Sequence, residues 1–288
     1  MNNLATKTVL SIQSHVAYGY VGNRAATFPL QRMGYEVITV NTVQFSNHTG
    51  YGKWTGDVFT HSHIQDLLDG VYVHTQKVDA VLSGYLGDAS IGQIVMNSMN
   101  QFNCDLWLCD PVMGDFGRDI FVRDGIPEFF KNEAIGRASI MTPNHYELQV
   151  LTGKTVRSPK DALEACKILH DKGVETIIVK SFEYEGLESD KIAMLASDQQ
   201  GEHYLVVTPK IPLTPPPNGA GDVTSALLLG HILDGTPLNE TLSLTASTLL
   251  DVFTKTFENG QRELALIEMQ DCFLTPRKMY YATSLDGL

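Results

Sequence analysis

The chain has 288 residues, 43% of them hydrophobic and 19% charged, which fits an ordinary globular protein built as one large α/β domain or two small ones. Its formal net charge of −12 excludes a general attraction to nucleic acid or an anionic membrane surface. A nucleotide substrate stays open, because local backbone dipoles and a divalent cation hold phosphates inside acidic proteins. Residues 1–8 carry neither a basic nor an apolar signal region, and no apolar run approaches the roughly 18 residues of a membrane span. Cys104, Cys109, Cys166 and Cys272 form no Cys-x-x-Cys pair, so the expected compartment is a reducing cytoplasm.

Short apolar runs alternate with amphipathic ones. Residues 9–12, 36–40, 80–83, 106–109, 139–141 and 176–180 read as buried strands. Residues 23–33, 64–74, 90–102, 127–135 and 159–172 read as the helices between them, with Gly34 and Gly173 placed to end two of these. Repeated strand–helix units of this kind give a mostly parallel sheet with helices on both faces. Residues 192–196 and 204–207, separated by a polar turn at 198–201, predict an antiparallel hairpin at the sheet edge. The Pro-rich stretch 209–217 is too short for an interdomain linker and predicts a stiff surface loop. From Asp222 the pattern is helical to about Ile267, and the whole chain reads as one domain.

Polar clusters fall where the strands end, which in such a sheet is where ligands bind. They are residues 11–15, 41–53, 83–85, 109–115 and 141–144. Each alone fits ordinary turn chemistry; together they point to one face of the sheet. The run Pro217-Asn218-Gly219-Ala220-Gly221-Asp222 follows a strand and opens an apolar helix. A Gly-rich turn at a helix mouth presents unpaired N–H groups and the positive end of the dipole, which suits a phosphoryl group. Asp222 in the first turn is placed to take a proton from an attacking hydroxyl. Read alone, the run equally fits a plain helix start with a charge-compensating acid.

The runs SIQSHVAYGYVGNRAATFPLQRMG (11–34) and NTVQFSNHTGYGKWTG (41–56) resemble pyridoxal kinases of the ribokinase-like superfamily. CDPVMGD (109–115), TPNHYE (142–147) and NGAGD (218–222) follow in the order that family requires, and are shared more widely within the superfamily. The likeness extends from about Val9 to at least Leu233. It implies a ribokinase-like fold, ATP as co-substrate, Mg²⁺, a monovalent cation such as K⁺, and a homodimer. The reaction it implies is transfer of the γ-phosphoryl to the 5′-hydroxyl of pyridoxal, with pyridoxine and pyridoxamine as weaker substrates.

The resemblance also assigns residues. Asp222 is the general base, and Gly219, Ala220 and Gly221 present amides to the transferring phosphoryl. Ser14 and Thr49 hold the pyridine ring, His48 and Tyr85 flank it, and Val21, Val43 and Phe45 form the apolar wall. Asp110, Asp115, Thr142 and Glu147 belong to the metal shell, with Thr142 near the monovalent cation. Asn144, Lys180, Thr208, Pro209 and Lys210 lie on the ATP side, with Asp110, Thr142 and Glu147. From the residues alone, Ser14 also reads as a turn residue, Thr49 as a helix cap, Tyr85 and the apolar three as core, Glu147 as a solvated acid and Lys180 as an exposed strand end. The segment 214–218 before Gly219 is richer in proline than the family pattern, and the flap-like loop 114–123 lacks a cysteine for a covalent adduct while keeping Gly114 and Gly117 as hinges. Two rivals remain: a kinase for the thiamin-precursor pyrimidine, which in that family carries Cys at the position of Asp222, and a non-catalytic protein that sequesters pyridoxal 5′-phosphate.

Overall fold

Neighbouring residues along each central strand point to opposite sides, and both sides are apolar. Val9, Leu82, Leu108, Ile140 and Ile178 face one hydrophobic cluster, while Leu10, Val81, Cys109, Met141 and Ile177 face the other. A strand buried on both faces needs helices above and below it. The computed structural model describes residues 6–287 and has that arrangement. The secretory-signal reading of residues 1–8 falls partly on residues 1–5, outside the described residues.

The first half contains β1 (Thr8–Val16), α1 (Asn23–Arg32), β2 (Glu36–Phe45), β3 (Gly56–Val58), α2 (His61–Tyr72), β4 (Ala80–Ser83), α3 (Ala89–Gln101) and β5 (Trp107–Cys109). A two-residue-per-strand hairpin follows, β6 (Gly114–Asp115) with β7 (Asp119–Ile120). Next come α4 (Ile126–Phe129), continued by a π-type turn at Phe130–Ala134, then β8 (Ile140–Met141), α5 (His145–Thr152), α6 (Pro159–His170) and β9 (Thr176–Phe182). The last part holds β10 (Lys191–Asp198), β11 (His203–Pro209), α7 (Ala220–Leu233), α8 (Leu238–Glu258) and β12 (Thr283–Ser284).

Among the described residues ten strands form one sheet in the order β12-β11-β10-β9-β8-β5-β4-β1-β2-β3. The pairings from β2 through β9 are parallel, and β3, β10, β11 and β12 are added antiparallel. Helices α1, α7 and α8 cover one face; α2, α3, α5 and α6 pack on the other. The expected hairpin is β10–β11, but β12 pairs outside it, so it is not the edge. The helix expected from Asp222 to Ile267 is two helices. Asp234 to Pro237 interrupts it, with Gly235 at φ 74° and a proline that cannot donate a helical hydrogen bond, and α8 stops at Glu258. The strands β1 and β2 run five or so residues further than the apolar pattern predicts, because polar residues such as Gln13, Ser14 and Thr42 interrupt that pattern while their backbones stay in the sheet and their side chains stay buried.

Candidate active site

A cleft of about 520 Å³ opens at the C-terminal ends of the parallel strands. Its floor is the start of α7. Gly219 takes φ 81°, a left-handed conformation open to glycine, and a Cβ there would overlap the Tyr20 carbonyl oxygen. Among the described residues no side chain caps the helix, so the first turn keeps its N–H groups for another partner. Asp222 lies in that turn, half-buried, and its Oδ2 accepts the Gly22 N–H at 2.8 Å. Burial raises the Asp222 carboxyl to about 6, the Gly22 N–H opposes this, and the Asp110 charge adds to it.

Beneath the turn lies a buried ion pair. Lys180, in the C-terminal half of β9, donates to Asp110 Oδ2 at 2.6 Å, and Ser225 Oγ donates to the same oxygen at 2.9 Å. A Cβ on Gly221 would stand 3.4 Å from Lys180 Nζ and 3.7 Å from Asp110 Oδ2, which puts the pair directly against the Gly-rich turn. The other oxygen, Asp110 Oδ1, is buried and has no hydrogen-bond partner among the described residues. An uncompensated acceptor of this kind is costly unless a ligand or cation meets it.

Asn144 and Glu147 form a reciprocal cap on α5. Asn144 Oδ1 accepts the Glu147 N–H and Glu147 Oε2 accepts the Asn144 N–H, each at 2.8 Å. Glu147 Oε1 also accepts the Met113 N–H at 2.9 Å, and Asn144 Nδ2 donates to Gly114 O at 2.8 Å. Burial and the Asp110 charge push the Glu147 carboxyl upward, against Lys180 and these two amides. Thr142 does not line the cleft. It is fully buried, and its hydroxyl is paired with Ser225 Oγ at 2.9 Å. Asp115 is exposed on the β6–β7 hairpin, where its Oδ1 accepts the Phe116 N–H. Among the described residues no three His, Cys, Asp or Glu side chains gather as a metal cluster, so the four residues expected in a metal shell do not form one by themselves.

On the opposite wall the cleft is lined by Ser14, Val21, Phe45, His48, Thr49 and Tyr85. Val43, expected in that wall, is fully buried behind it, packed with Val16, Val21 and Phe45. His48 Nδ1 accepts the Gly50 N–H at 3.0 Å. Burial and then Arg118 and Arg262 lower His48 to about 4, so the ring is neutral near pH 7 with its hydrogen on Nε2. Thr208, Pro209 and Lys210 line the other end, but Lys210 is exposed and its ammonium pairs with Glu183 at 2.7 Å. The expected hinge at Gly114 is instead paired in the β6–β7 hairpin and tucked against Asp119 and Tyr146, while Gly117 is in open space. Arg118, Val16, Phe121, Ala246, Leu249 and Phe253 also line the cleft, and the sequence reading singles out none of them. The α8 residues among them carry no distinguishing signal, since a cleft-facing apolar residue has the same pattern as a buried one.

Pyridoxal kinase PdxY of Rubrobacter xylanophilus is 46% identical over 93% of this chain and 94% of its own length. Pyridoxal kinase PdxY of Granulibacter bethesdensis is 43% identical over 95% and 98%. The chain belongs to the pyridoxal kinase family. The family model described as phosphomethylpyrimidine kinase matches residues 26–265. Among solved structures, pyridoxal kinase from Leishmania donovani in complex with ADP and pyridoxamine superposes with a TM-score of 0.86 at 30% identity, covering 97% of this chain and 99% of that one. A phosphomethylpyrimidine kinase-like structure from Bacteroides thetaiotaomicron gives 0.89 at 23% identity, which speaks to the fold alone. This kinase has the ribokinase-like α/β fold, and among the described residues no helix is long and apolar enough to cross a membrane.

Proposed function

We propose that this kinase transfers the γ-phosphoryl of ATP to the 5′-hydroxyl of pyridoxal, with Asp222 as the general base. One observation carries the reading. A carboxylate raised to about 6 lies in the first turn of an uncapped, Gly-rich helix start, at the junction of the Ser14–His48–Tyr85 wall and the Lys180–Thr208 end of one cleft. Raised to that value, Asp222 is ionised at neutral pH and a better proton acceptor than an ordinary aspartate. It takes the hydroxyl proton as the new O–P bond forms and the bond to the departing ADP breaks. The amides of Gly219, Ala220 and Gly221 and the dipole of α7 stabilise charge on the three phosphoryl oxygens.

The pyridine ring lies between His48 and Tyr85, with Ser14 and Thr49 as polar anchors and Val21 and Phe45 as apolar wall; Val43 supports that wall from behind. The neutral His48 offers a donor at Nε2. Thr208, Pro209, Asn144 and Lys180 bound the nucleotide side. The bare Asp110 Oδ1 suits Mg²⁺, which takes few protein carboxylates and completes its shell with phosphate oxygens and water. Asp110 would hold it, and Asp115 and Glu147 would act through its water shell; the ion supplies neutralisation of the polyphosphate charge. A monovalent cation such as K⁺ would lie near Thr142 and Asp110, on the side of the cleft where Thr142 is buried against Ser225. The chain acts as one kinase domain in a homodimer in the cytoplasm; its four cysteines are buried and free, as a reducing compartment allows.

A second reading, phosphorylation of a hydroxymethylpyrimidine, is favoured by the description of the matched family model. ATP-dependent formation of pyridoxal 5′-phosphate, followed by absorbance and run beside pyridoxine and the pyrimidine, separates the two. Turnover fastest on pyridoxal supports the first reading, turnover only on the pyrimidine replaces it, and tight pyridoxal binding without turnover on any substrate turns the protein into a binder.

A further inference from the structure

Two loops that border the acceptor side of the cleft are anchored by one acid more than 200 positions away in sequence. Glu263, half-buried after the end of α8, accepts the backbone N–H of Tyr20 through Oε2 at 2.9 Å and the hydroxyl of Tyr51 through Oε1. Its neighbour Arg262 lies 3.6 Å from the centroid of the Tyr51 ring and donates to Gly50 O at 3.1 Å. The fit is tight, because Gly19, at φ 89°, leaves no room for a Cβ beside the Glu263 carboxylate. Tyr20 and Tyr51 sit within a few residues of the cleft itself. Tyr20 O packs against Gly219, the Gly22 N–H holds Asp222, and the turn Thr49–Tyr51 begins after His48.

We infer that Glu263 is a positioning residue, a clamp that sets the loops 17–22 and 48–52 against the start of α7 and so places the acceptor alcohol before Asp222. The inference deepens the kinase reading and rests on it for the identity of the acceptor. A carboxylate is suited to the task because it takes two donors at once, and each bond to a charged acceptor is stronger than a neutral one. A misplacement of about 1 Å at a phosphoryl-transfer site costs on the order of a hundredfold in rate. Arg262 adds a planar contact that holds the Tyr51 ring in the rotamer that reaches Glu263.

The test uses Glu263→Ala, Glu263→Gln and Tyr51→Phe in the full chain. Glu263→Ala is expected to raise KM for pyridoxal about tenfold or more and to lower kcat, with KM for ATP within about twofold of the parent. Glu263→Gln, which keeps an acceptor, recovers part of the loss, and Tyr51→Phe, which removes one hydroxyl, shows a smaller rise in the same constant. A fall in melting temperature with both constants for pyridoxal unchanged overturns the clamp. Amide hydrogen exchange without ligands reads it independently of the substrate. Faster exchange of loops 17–22 and 48–52 in Glu263→Gln and Tyr51→Phe, with the interior of α7 unchanged, supports it; parental exchange in both loops overturns it. If the parent protein fails to phosphorylate pyridoxal, the functional reading falls while the exchange result still decides the clamp.

Discussion

Gly22 donates its backbone N–H to Oδ2 of Asp222 at 2.8 Å, joining the loop after β1 to the first turn of α7. The bond leaves Oδ1 of that carboxylate for a substrate and fixes the direction it faces. Gly22 reaches it only at φ 54°, with its backbone pressed so closely on Ser14 that a Cβ would overlap the Ser14 carbonyl. Substitution of Asp222→Asn keeps the shape and an acceptor oxygen but removes the base. It is expected to lower kcat by about 10²–10⁴-fold while pyridoxal still binds. In the parent, kcat/KM falls as pH drops through about 6, where Asp222 takes up its proton. A pH–rate profile checks this: an acidic limb near that value in the parent is the expected result, and near-parental turnover of the Asn variant removes Asp222 from the role.

The same carboxylate carries a stability cost whose sign follows from its shift. Asp222 titrates near 6 when folded and near 3.8 when unfolded, so between these values the folded state binds more protons. Stability attributable to this group is therefore greatest below about pH 3.8 and is lost as pH rises through 6. Asp222→Asn is expected to melt higher than the parent at pH 8, and the gain to shrink toward pH 4. Thermal scans at the two values show it, and an equal difference at both contradicts the shift. The acid is retained at a cost in stability, as functional sites commonly are.

Much of this arrangement was readable from residue order, for a physical reason. The Gly-rich turn, Asp110 and Asn144 sit at strand ends where the backbone itself places them, so order along the chain predicts convergence in space. Side-chain direction was not readable. Thr142, just past β8, turns inward to Ser225, and Val43 packs behind the wall with Val16, Val21 and Phe45, a place that its alternation with Thr42 and Gln44 allows as readily as one on the wall itself. Lys210 finds Glu183 and Lys180 finds Asp110 across 27 and 70 positions, pairings that local sequence does not encode. The break at 234–237 did carry its signal, Gly235 followed by Pro237, within an otherwise continuous apolar pattern.

The ion pair between Lys180 and Asp110 is nearly inaccessible, with side-chain exposures of 7% and 2%. Removing one member leaves a buried charge without its partner, which typically costs roughly 3–5 kcal/mol. Lys180→Met is expected to lose stability on that order in urea unfolding and to raise KM for ATP. The double variant Lys180→Met/Asp110→Leu is expected to regain most of the stability and none of the activity. If the single variant unfolds at the parental urea concentration, the pair carries no such weight.

Gly219 is required by its conformation rather than by size alone. Gly219→Ala places a Cβ on a left-handed residue, costing about 1–3 kcal/mol from the backbone, and forces the Tyr20 carbonyl away. Because Tyr20 also donates to Glu263, the displacement spreads to the acceptor loops. The expected outcome is a lower melting temperature together with a loss of kcat larger than the loss of folded protein at assay temperature. Circular dichroism with steady-state kinetics measures both; a variant with parental kcat shows that the turn tolerates the shift.

Metal dependence follows from the lack of a ready-made ligand cluster among the described residues. A divalent ion held by Asp110 alone binds weakly until phosphate oxygens complete its shell. Chelation with EDTA is therefore expected to abolish turnover and leave the melting temperature of the nucleotide-free protein within about 1 °C of its starting value. With ATP present, adding Mg²⁺ should raise that temperature through linked binding, and Asp110→Asn should blunt the rise. Asp110→Asn keeps the shape and removes the charge that Mg²⁺ and Lys180 share, so the parent and the variant are compared at equal ATP. A nucleotide-free melting temperature that falls on chelation would mean that the ion belongs to the fold, and Asp110 would then be a structural ligand rather than a site the nucleotide completes.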